Sequence, residues 1–329
     1  MTSELTISER YLRFAANEAH GVSAIFEAWA TGVAHDASLL ALLEPLSRPK
    51  QQPNLVFAAA RWTGCPAGDF GDFREWMLDH WLEIESTILA RSTQTNEAAR
   101  CSALVTALAG IEGPVALLEV GASAGLCLYP DRYSYRFDRG GAVVALDPAD
   151  GTSRVDIPCA VGDGILLPER LPQVVWRAGI DQSPIDVRNG DEVRWLETLI
   201  WPEHHERVDR LHAAALIAAA DPPHLRHGDL VELLASTAEW APRDATLVVF
   251  HSAVLNYVPP ERRTSFEQIV RDLDAVWISN EGLGVLPDVD AQLPSGLDVR
   301  GFILARDGEP LALTEPHGRS IEGLRYDSE

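Results

Sequence analysis

Apolar residues recur at helical spacing through the first third of the chain. One run covers residues 12–29, a second covers residues 73–90, and a third covers residues 96–108. Side chains three and four positions apart share one face of a helix, so each run predicts an amphipathic helix. No strand-like alternation occurs before residue 114. Residues 1–110 are therefore predicted to form an all-helical N-terminal domain, placed as a lid.

The pattern changes at Pro114, where short apolar runs begin to alternate with helical patterns. Runs typical of buried strands cover residues 115–120, 174–180, 225–228, 246–250 and 275–279. This alternation predicts an α/β domain over residues 111–329, with a mostly parallel sheet and helices on both of its faces.

Two further segments add antiparallel strands to this prediction. Asp307-Gly308 lies between apolar runs at 302–305 and 311–313, which is typical of a β-hairpin and predicts an antiparallel edge. Residues 133–171 mix apolar runs with many turn formers. They are expected to form an inserted hairpin or small subsheet after the first helix of the α/β domain.

Charge limits the partners that fit this chain. The 329 residues carry a formal net charge of −22, from 49 acidic and 27 basic residues. Such a surface repels phosphate backbones and anionic lipids, so neither a nucleic acid nor a membrane is expected as a partner. The N-terminus has no apolar signal region, and the four cysteines match no zinc template. These features predict a cytoplasmic protein.

A turn of small residues follows the first predicted strand, within residues 117–126 (LLEVGASAGL). Gly121 and Gly125 let a ligand approach the backbone, and a helix starting there would offer free N–H groups. Glu119, at the strand end, suits a cationic group such as an ammonium. A tight strand-to-helix connection would explain the same glycines.

An acidic residue follows the second parallel strand, in the segment GIDQSPIDV. Carboxylates in this position bind the ribose hydroxyls of nucleotide cofactors, which makes Asp181 a candidate. The alternative is that Asp181 caps the next helix. Asp147 is a rival, closer to the usual distance from the glycines, but turn residues follow it.

Polar residues also follow the two remaining strands. Asp229 comes after Gly228 and could face the amine of adenine, or it could cap a helix. His251 ends the run TLVVFH, and Asn256 and Tyr257 come shortly after it. Polar groups at the carboxyl ends of central strands face the ligand crevice of open α/β sheets.

In this order, the four segments resemble the cofactor-binding motifs of class I S-adenosylmethionine-dependent methyltransferases. The resemblance covers residues 114–329 and implies a Rossmann-like methyltransferase fold, S-adenosylmethionine as cofactor and a small-molecule acceptor. The cofactor-binding residues it implies are Glu119, Gly121, Ser123, Gly125, Asp181, Gln182, Asp229, Leu230 and His251. A weakly nucleophilic acceptor also needs a general base, for which His251 is the candidate, although it could instead be a core histidine with a satisfied backbone hydrogen bond. Tyr257 would wall the acceptor pocket or pack in the core. Ser123 stands where methyltransferases often have a glycine.

The whole chain also resembles a bacterial family of unknown function. This resemblance rests on the segments QPNLVFAAA, RSTQTNEAARC and VRWLETLIWP, together with three of the segments above. It implies no substrate. The polar run RSTQTNE, which precedes the first strand, contains three candidate substrate contacts, Arg91, Gln94 and Asn96, although a helix cap at Thr95 or Asn96 would explain part of it. Asn256, after the run TLVVFH, is a fourth candidate.

Other functions fit parts of the same pattern. Gly121 to Gly125 spell G-x-S-x-G, the nucleophile elbow of serine hydrolases, with Ser123 as nucleophile and Asp229 and His251 or His317 as partners. The helices before this turn count against that fold. A cofactor-binding protein without catalysis is a third hypothesis. No metal site is expected, although His224, His227 and Asp229 form H-x-x-H-x-D.

Overall fold

A computed structural model describes residues 5–94 and 96–324. The helices are α1 (Ile7–Phe14), α2 (Ala24–His35), α3 (Ala37–Leu43), α4 (Pro53–Trp62), α5 (Phe70–Asp79), α6 (Trp81–Ala90), α7 (Cys101–Ala107), α8 (Gly190–Leu199), α9 (His205–Ala220), α10 (Leu230–Ala238), α11 (Pro260–Asp272) and α12 (Pro287–Asp290). The strands are β1 (Pro114–Val120), β2 (Ser134–Arg139), β3 (Ala142–Leu146), β4 (Asp156–Val161), β5 (Gln173–Asp181), β6 (His224–His227), β7 (Thr246–Ser252), β8 (Val276–Gly282), β9 (Phe302–Arg306), β10 (Glu309–Thr314) and β11 (Ser320–Glu322).

The described residues divide into two compact units. A helical unit contains residues 5–94 and Asn189–Asp209, and a sheet unit contains residues 96–188 and 210–324. The boundary predicted from the sequence was a single one near residue 110. The structure instead groups residues 96–110 with the sheet, because α7 contacts β8 and β9, and it groups α8 with the helices, because α8 contacts α4.

Aromatic side chains form the core of the helical unit. Trp29 stacks on Phe73 with 4.2 Å between ring centroids, and Phe57 meets Phe73 edge to face at 5.4 Å. Side-chain caps begin two of the helices: Ser23 accepts a hydrogen bond from the Phe26 N–H, and Asp36 accepts one from the Leu39 N–H. These contacts hold short helices together that would be unstable alone.

Two details of the helical unit differ from the expected pattern. The run over residues 73–90 breaks at His80, where the backbone leaves helical geometry with φ of −115° and separates α5 from α6. Helix α4 lies between the first two predicted runs. Its central residues are buried all round, so it lacks the one-sided pattern by which an amphipathic helix is detected.

One mixed sheet of 11 strands forms the sheet unit, in the order β3-β2-β4-β11-β10-β9-β8-β7-β1-β5-β6. Most of its pairings are parallel, including the contiguous block β6-β5-β1-β7-β8. One face of this block carries Leu118 and Val120, which share a core with Leu234 of α10 and Phe266 of α11. An α/β fold with a mostly parallel sheet, as the alternating pattern predicts, is confirmed.

The predicted insertion and the predicted hairpin meet within this sheet. β2 and β3 form an antiparallel hairpin, and β4 pairs with β2 in parallel. β9 and β10 form the second hairpin, with Asp307 and Gly308 at positive φ in its turn. This hairpin is not the sheet edge that the sequence analysis expects. β11 pairs with both β10 and β4, and so joins the inserted strands to the rest of the sheet.

Among residues 5–94 and 96–324, every helix is too short or too polar to cross a lipid bilayer.

Truncating a core aromatic tests the packing of the helical unit. Phe57 is fully buried, so Phe57→Ala leaves a cavity and is expected to lower the free energy of unfolding by about 3–5 kcal/mol. Urea denaturation followed by circular dichroism measures the loss. The control is Leu82→Ala in α6, where the side chain is 81% exposed and the expected change is below about 0.5 kcal/mol. Equal effects of the two changes would contradict the packing.

Candidate functional site

The order of the parallel strands reverses at β1. From β1 the chain adds β5 and then β6 on one side, and it returns to add β7 and then β8 on the other side. In open α/β sheets, ligands bind outside the carboxyl ends of the strands where this reversal occurs. The carboxyl ends of β1, β5 and β7, at Val120, Asp181 and Ser252, therefore form the candidate site.

The turn after β1 is tied to its surroundings by its own N–H groups. Gly121 and Ala122 donate to the Ile180 carbonyl, at 2.8 and 3.2 Å, and Gly125 donates to the Ala122 carbonyl at 2.6 Å. Ser123 N–H donates to Asp181 Oδ2 at 2.8 Å. The fifth N–H of the turn, from Ala124, donates to Asn96 Oδ1 at 2.9 Å. The turn thus has a fixed shape, and each of its five N–H groups already has an acceptor.

This arrangement corrects one expectation. The segment after Gly125 is a single 3₁₀ turn, Leu126–Leu128, and not an α-helix. A helix N-terminus with free N–H groups is therefore not present directly after the glycines. The reason is that β5 and Asn96 supply the acceptors, so the backbone turns without needing a helix to continue it.

Both glycines of the turn are required by packing. Gly121 has φ of +76°, and a Cβ there would lie 2.4 Å from Val254 Cγ2. Gly125 has φ of +68°, and a Cβ there would lie 3.0 Å from Pro223 Cγ. Val254 fills the space beside Gly121, so the backbone at that residue is not bare. Gly121 and Gly125 serve the tight turn and its close packing.

The residue between the glycines carries its own constraint. Ser123 is buried and adopts a left-handed backbone, with φ of +47°. Its Oγ accepts a hydrogen bond from Asn96 Nδ2 at 2.8 Å. Asn96 therefore bonds the turn twice, through its amide nitrogen and its amide oxygen. Of the four polar residues proposed to contact a substrate, Asn96 reaches the turn itself.

Asp181 joins the end of β5 to the turn. Besides the bond from Ser123 to Oδ2, its Oδ1 accepts the Ser183 N–H at 2.7 Å. A carboxylate offers about four acceptor positions, so these two bonds leave acceptor capacity on a side chain that is partly exposed. Gln182, next to it, is exposed. The rival Asp147 lies elsewhere in the sheet and bonds Ser134 and Arg136.

Glu119 is a buried carboxyl without a full set of partners. Its side chain lies near the end of β1, and its Oε2 has no hydrogen-bond partner within the described part of the chain. Burial raises the pKa of this carboxyl well above its ordinary value, and Cys127 and Asp181 add to the rise. The fold therefore favours the uncharged form of this carboxyl. A cation placed against it would favour the ionised form.

Asp229 and Leu230 have structural partners. Asp229 caps α10 by accepting the Val231 N–H at 2.8 Å, and it forms an ion pair with Arg262. Leu230 is buried in the core shared with α11. The helix-cap interpretation that the sequence left open for Asp229 is the one that the structure shows.

His251 lies on the opposite face of the sheet from Glu119. Glu119 pairs with Phe250 in the register of β1 and β7, and side chains alternate between faces, so His251 points toward α11. Its Nδ1–H donates to Glu281 Oε1 at 2.7 Å, and its Nε2 accepts the Trp277 Nε1–H at 3.0 Å. Both ring nitrogens are engaged in a fully buried site. A general base at His251 would need a free nitrogen facing the crevice.

Sequence reasoning missed Glu281, which holds the loop after β7. Besides His251, its Oε1 accepts the N–H groups of Val254 and Leu255, both at 3.1 Å. A detectable signal existed, because Glu281 is a charged residue two positions after the predicted strand at 275–279. The loop continues through the 3₁₀ turn Leu255–Tyr257, in which Asn256 and Tyr257 are exposed.

Arg91 and Gln94 belong to the helical unit. The Arg91 guanidinium lies 4.4 Å from the ring centroid of Trp62 and 5.0 Å from that of Trp195, which are cation–π contacts. Lys50 Nζ donates to the Arg91 carbonyl at 2.6 Å. Arg91 therefore has a packing role within that unit. Gln94 is partly buried, and Thr95, the next residue, lies outside the described residues.

Two of the groups proposed for a hydrolase triad, Asp229 and His251, are bonded to residues other than Ser123. The left-handed backbone of Ser123 is a feature of nucleophile elbows, but the described hydrogen bond of its Oγ goes to Asn96. Asp229 bonds Arg262, and His251 bonds Glu281 and Trp277. Across residues 5–94 and 96–324, no group of three His, Cys, Asp or Glu side chains could hold a metal ion.

A family model matches residues 8–322, and its description is "uncharacterized protein conserved in bacteria (DUF2332)". The match spans nearly the whole sequence. The chain belongs to this family. No curated protein and no solved structure matches this chain. The resemblance to a bacterial family of unknown function is thereby confirmed.

The raised pKa of Glu119 makes the stability of the fold depend on pH. The unfolded carboxyl titrates near 4.5 and the folded one higher, so the folded state keeps a proton that the unfolded state loses. Stability therefore falls as pH rises above about 4.5, by at most about 1.4 kcal/mol per pH unit. Glu119→Gln cannot ionise, and its stability relative to the unchanged protein should increase between about pH 5 and about pH 7.

Urea denaturation at several pH values measures this difference. The control is Glu169→Gln, because Glu169 is exposed and the change should leave the pH dependence of the unchanged protein intact. If the difference in unfolding free energy between Glu119→Gln and the unchanged protein stays constant with pH, then Glu119 ionises in the folded state as it does in the unfolded one.

Proposed function

We propose that the carboxyl ends of β1, β5 and β7 bind S-adenosylmethionine, and that the protein is a methyltransferase for a small-molecule acceptor. The observation that carries this proposal is the hydrogen bond from the Ser123 N–H to Asp181 Oδ2. It holds the acidic residue of the next strand against the glycine turn, at the crevice where a nucleotide ligand would bind. The reversal of strand order at β1 supports the same location.

Two side chains fit the expected ligand. Asp181 keeps acceptor positions for the two ribose hydroxyls, and it is partly exposed. Glu119 has an oxygen without a partner, and an ammonium group is the kind of cation that would complete it. In the resemblance to class I methyltransferases, these two positions contact the ribose and the methionine part, respectively.

The proposal gives different roles to the other residues. The N–H groups of the turn are engaged, so the turn orients Asp181 and does not itself supply donors to the ligand. Three residues take no part in the proposed cofactor binding because they are bonded or buried elsewhere: Asp229, Leu230 and His251.

The cofactor supplies an electrophilic methyl group for an in-line displacement, and the protein's task is to align the acceptor and exclude water. Tyr257, which is 77% exposed beside β7, remains the candidate wall of the acceptor pocket.

The large negative charge bears on the acceptor. With a net charge of −22, the surface disfavours polyanionic acceptors such as nucleic acids. A neutral or cationic small molecule is the acceptor class that fits, and a cytoplasmic location is part of the same proposal.

Isothermal titration with S-adenosylmethionine and with S-adenosylhomocysteine tests the binding. Asp181→Ala should weaken the affinity at least about tenfold, since it removes hydrogen bonds to a charged group. Asp181 also holds the turn, so the change to alanine removes two functions at once. Asp181→Asn keeps a carbonyl oxygen that can accept the Ser123 N–H, and it therefore separates loss of the turn from loss of ribose binding. The matched control is Asp186→Ala, because Asp186 is exposed and pairs with neighbouring Arg188.

The outcomes separate the hypotheses. Binding that Asp181→Ala abolishes, with methyl transfer to a component of a metabolite mixture, supports the enzyme. Binding without turnover on any mixture supports the non-catalytic cofactor protein. Failure of the unchanged protein to bind either ligand at millimolar concentration overturns the proposal.

A further inference from the structure

Two cysteine thiols meet beside the glycine turn. Cys101 is the first residue of α7, and Cys127 lies in the 3₁₀ turn that follows Gly125. Cys101 Sγ donates to the Cys127 carbonyl at 3.5 Å, and Cys127 Sγ donates to the Glu97 carbonyl at 3.5 Å. The two thiols also lie close enough to shift each other's pKa. Both residues belong to the sheet unit, and both are reduced in this structure.

We propose that Cys101 and Cys127 are a redox-active pair that a peroxide converts to a disulfide. The contact from Cys101 Sγ to the Cys127 carbonyl, at 3.5 Å, brings the two residues together where α7 meets the 3₁₀ turn. The thiol pair uses two residues to which the proposed cofactor binding assigns no contact.

The two thiols differ in a way that assigns their roles. The hydrogen bond from Cys101 lowers the pKa of Cys127, and the charge of Arg100 acts in the same direction. Burial raises the pKa of Cys101 well above its ordinary value. Cys127 is also partly exposed, whereas Cys101 is buried. Cys127 is therefore the thiol that a peroxide reaches and oxidises first, and Cys101 is the resolving thiol.

The remaining cysteines do not share this arrangement. Burial raises the pKa of Cys65 to about 12 and that of Cys159 to about 11. The hydrogen bond of each goes to the carbonyl of the following residue, at 3.6 Å, and not to another thiol. A peroxide acts on thiolates, so both should react more slowly than Cys127.

The chemistry balances in two steps. The Cys127 thiolate attacks one oxygen of hydrogen peroxide, the O–O bond breaks, and the departing hydroxide takes a proton to leave as water. This produces a sulfenic acid on Cys127. The Cys101 sulfur then attacks the Cys127 sulfur, the S–O bond breaks, and a second water leaves with the Cys101 proton. Two thiols are oxidised by two electrons, and one peroxide is reduced.

The crosslink would enclose the part of the chain that carries the candidate site. The ring from Cys101 to Cys127 contains β1, Glu119 and the whole glycine turn. The disulfide would fix the position of the 3₁₀ turn relative to α7. Oxidation would therefore restrain the backbone from Gly121 to Gly125, which lies within the ring.

Mass spectrometry of the full-length protein provides a direct test. The protein is exposed to hydrogen peroxide, free thiols are blocked with N-ethylmaleimide, and trypsin is added. No Lys or Arg lies between Cys101 and Arg132, so both cysteines leave on one peptide, 101–132. We expect that peptide to lack both maleimide groups and to weigh about 2 Da less than the reduced form. Cleavage after Glu112 and Glu119 should leave the pieces 101–112 and 120–132 linked until dithiothreitol is added.

Variants assign the two roles. Cys101→Ser should trap the sulfenic acid on Cys127, which dimedone labels, and Cys127→Ser should abolish both the label and the link. The matched control, Cys65→Ser combined with Cys159→Ser, should form the link as the unchanged protein does. Glutathione is added as an internal control for the action of peroxide. If the glutathione is fully oxidised while Cys101 and Cys127 both still react with maleimide, the proposal is overturned. Preferential oxidation of Cys65 or Cys159 would overturn it as well, and both results can be read from the unchanged protein alone.

Discussion

The carboxyl end of β5 determines the shape of the turn after β1. The Ile180 carbonyl accepts two N–H groups of that turn, and the Asp181 carboxylate accepts a third. Buried backbone N–H groups need acceptors, so a chain that reverses direction this tightly depends on the neighbouring strand to supply them. The turn positions Glu119, which precedes it in the chain, and Cys127, which follows it. The proposed cofactor site and the thiol pair both depend on this connection between two parallel strands.

Two buried carboxyl groups near the ends of strands, Glu281 and Glu119, have different surroundings. Glu281 Oε1 receives His251 and two backbone N–H groups, which fixes the loop after β7 and places Val254 against Gly121. Glu119 is buried to a similar degree, and Oε2 of each carboxyl has no hydrogen-bond partner within the described residues. The burial of an uncompensated polar group costs stability, and it is tolerated more readily where a ligand completes it. Glu119 is assigned to the candidate site because it lies on β1 next to the glycine turn, whereas Glu281 holds the loop after β7.

The periodic pattern predicted most helices and strands because it depends on neighbouring residues alone. The strand at 246–250 is one example, and the Asp-Gly turn of the second hairpin is another. Contacts between distant residues could not be predicted in this way. Arg262 pairs with Asp229, and Asn96 bonds the Ser123 turn, because the fold brings them together. Helix α4 was missed because a segment buried on all sides has no polar face. The side of the sheet to which His251 points follows from strand alternation, once the register with β1 is known.

The short strand β11 has a consequence for how the sheet is completed. Its pairing of Ser320 with Ala160 is the parallel link between the inserted strands and β10. Residues so distant in sequence find each other slowly, because closing the intervening loop costs entropy before any contact forms. On the ribosome, β4 is made long before β11 and keeps an unpaired edge in the meantime, and such edges are templates for pairing with other chains. Nascent molecules of this protein thus have a window in which a chaperone that shields extended segments would raise the yield of folded product.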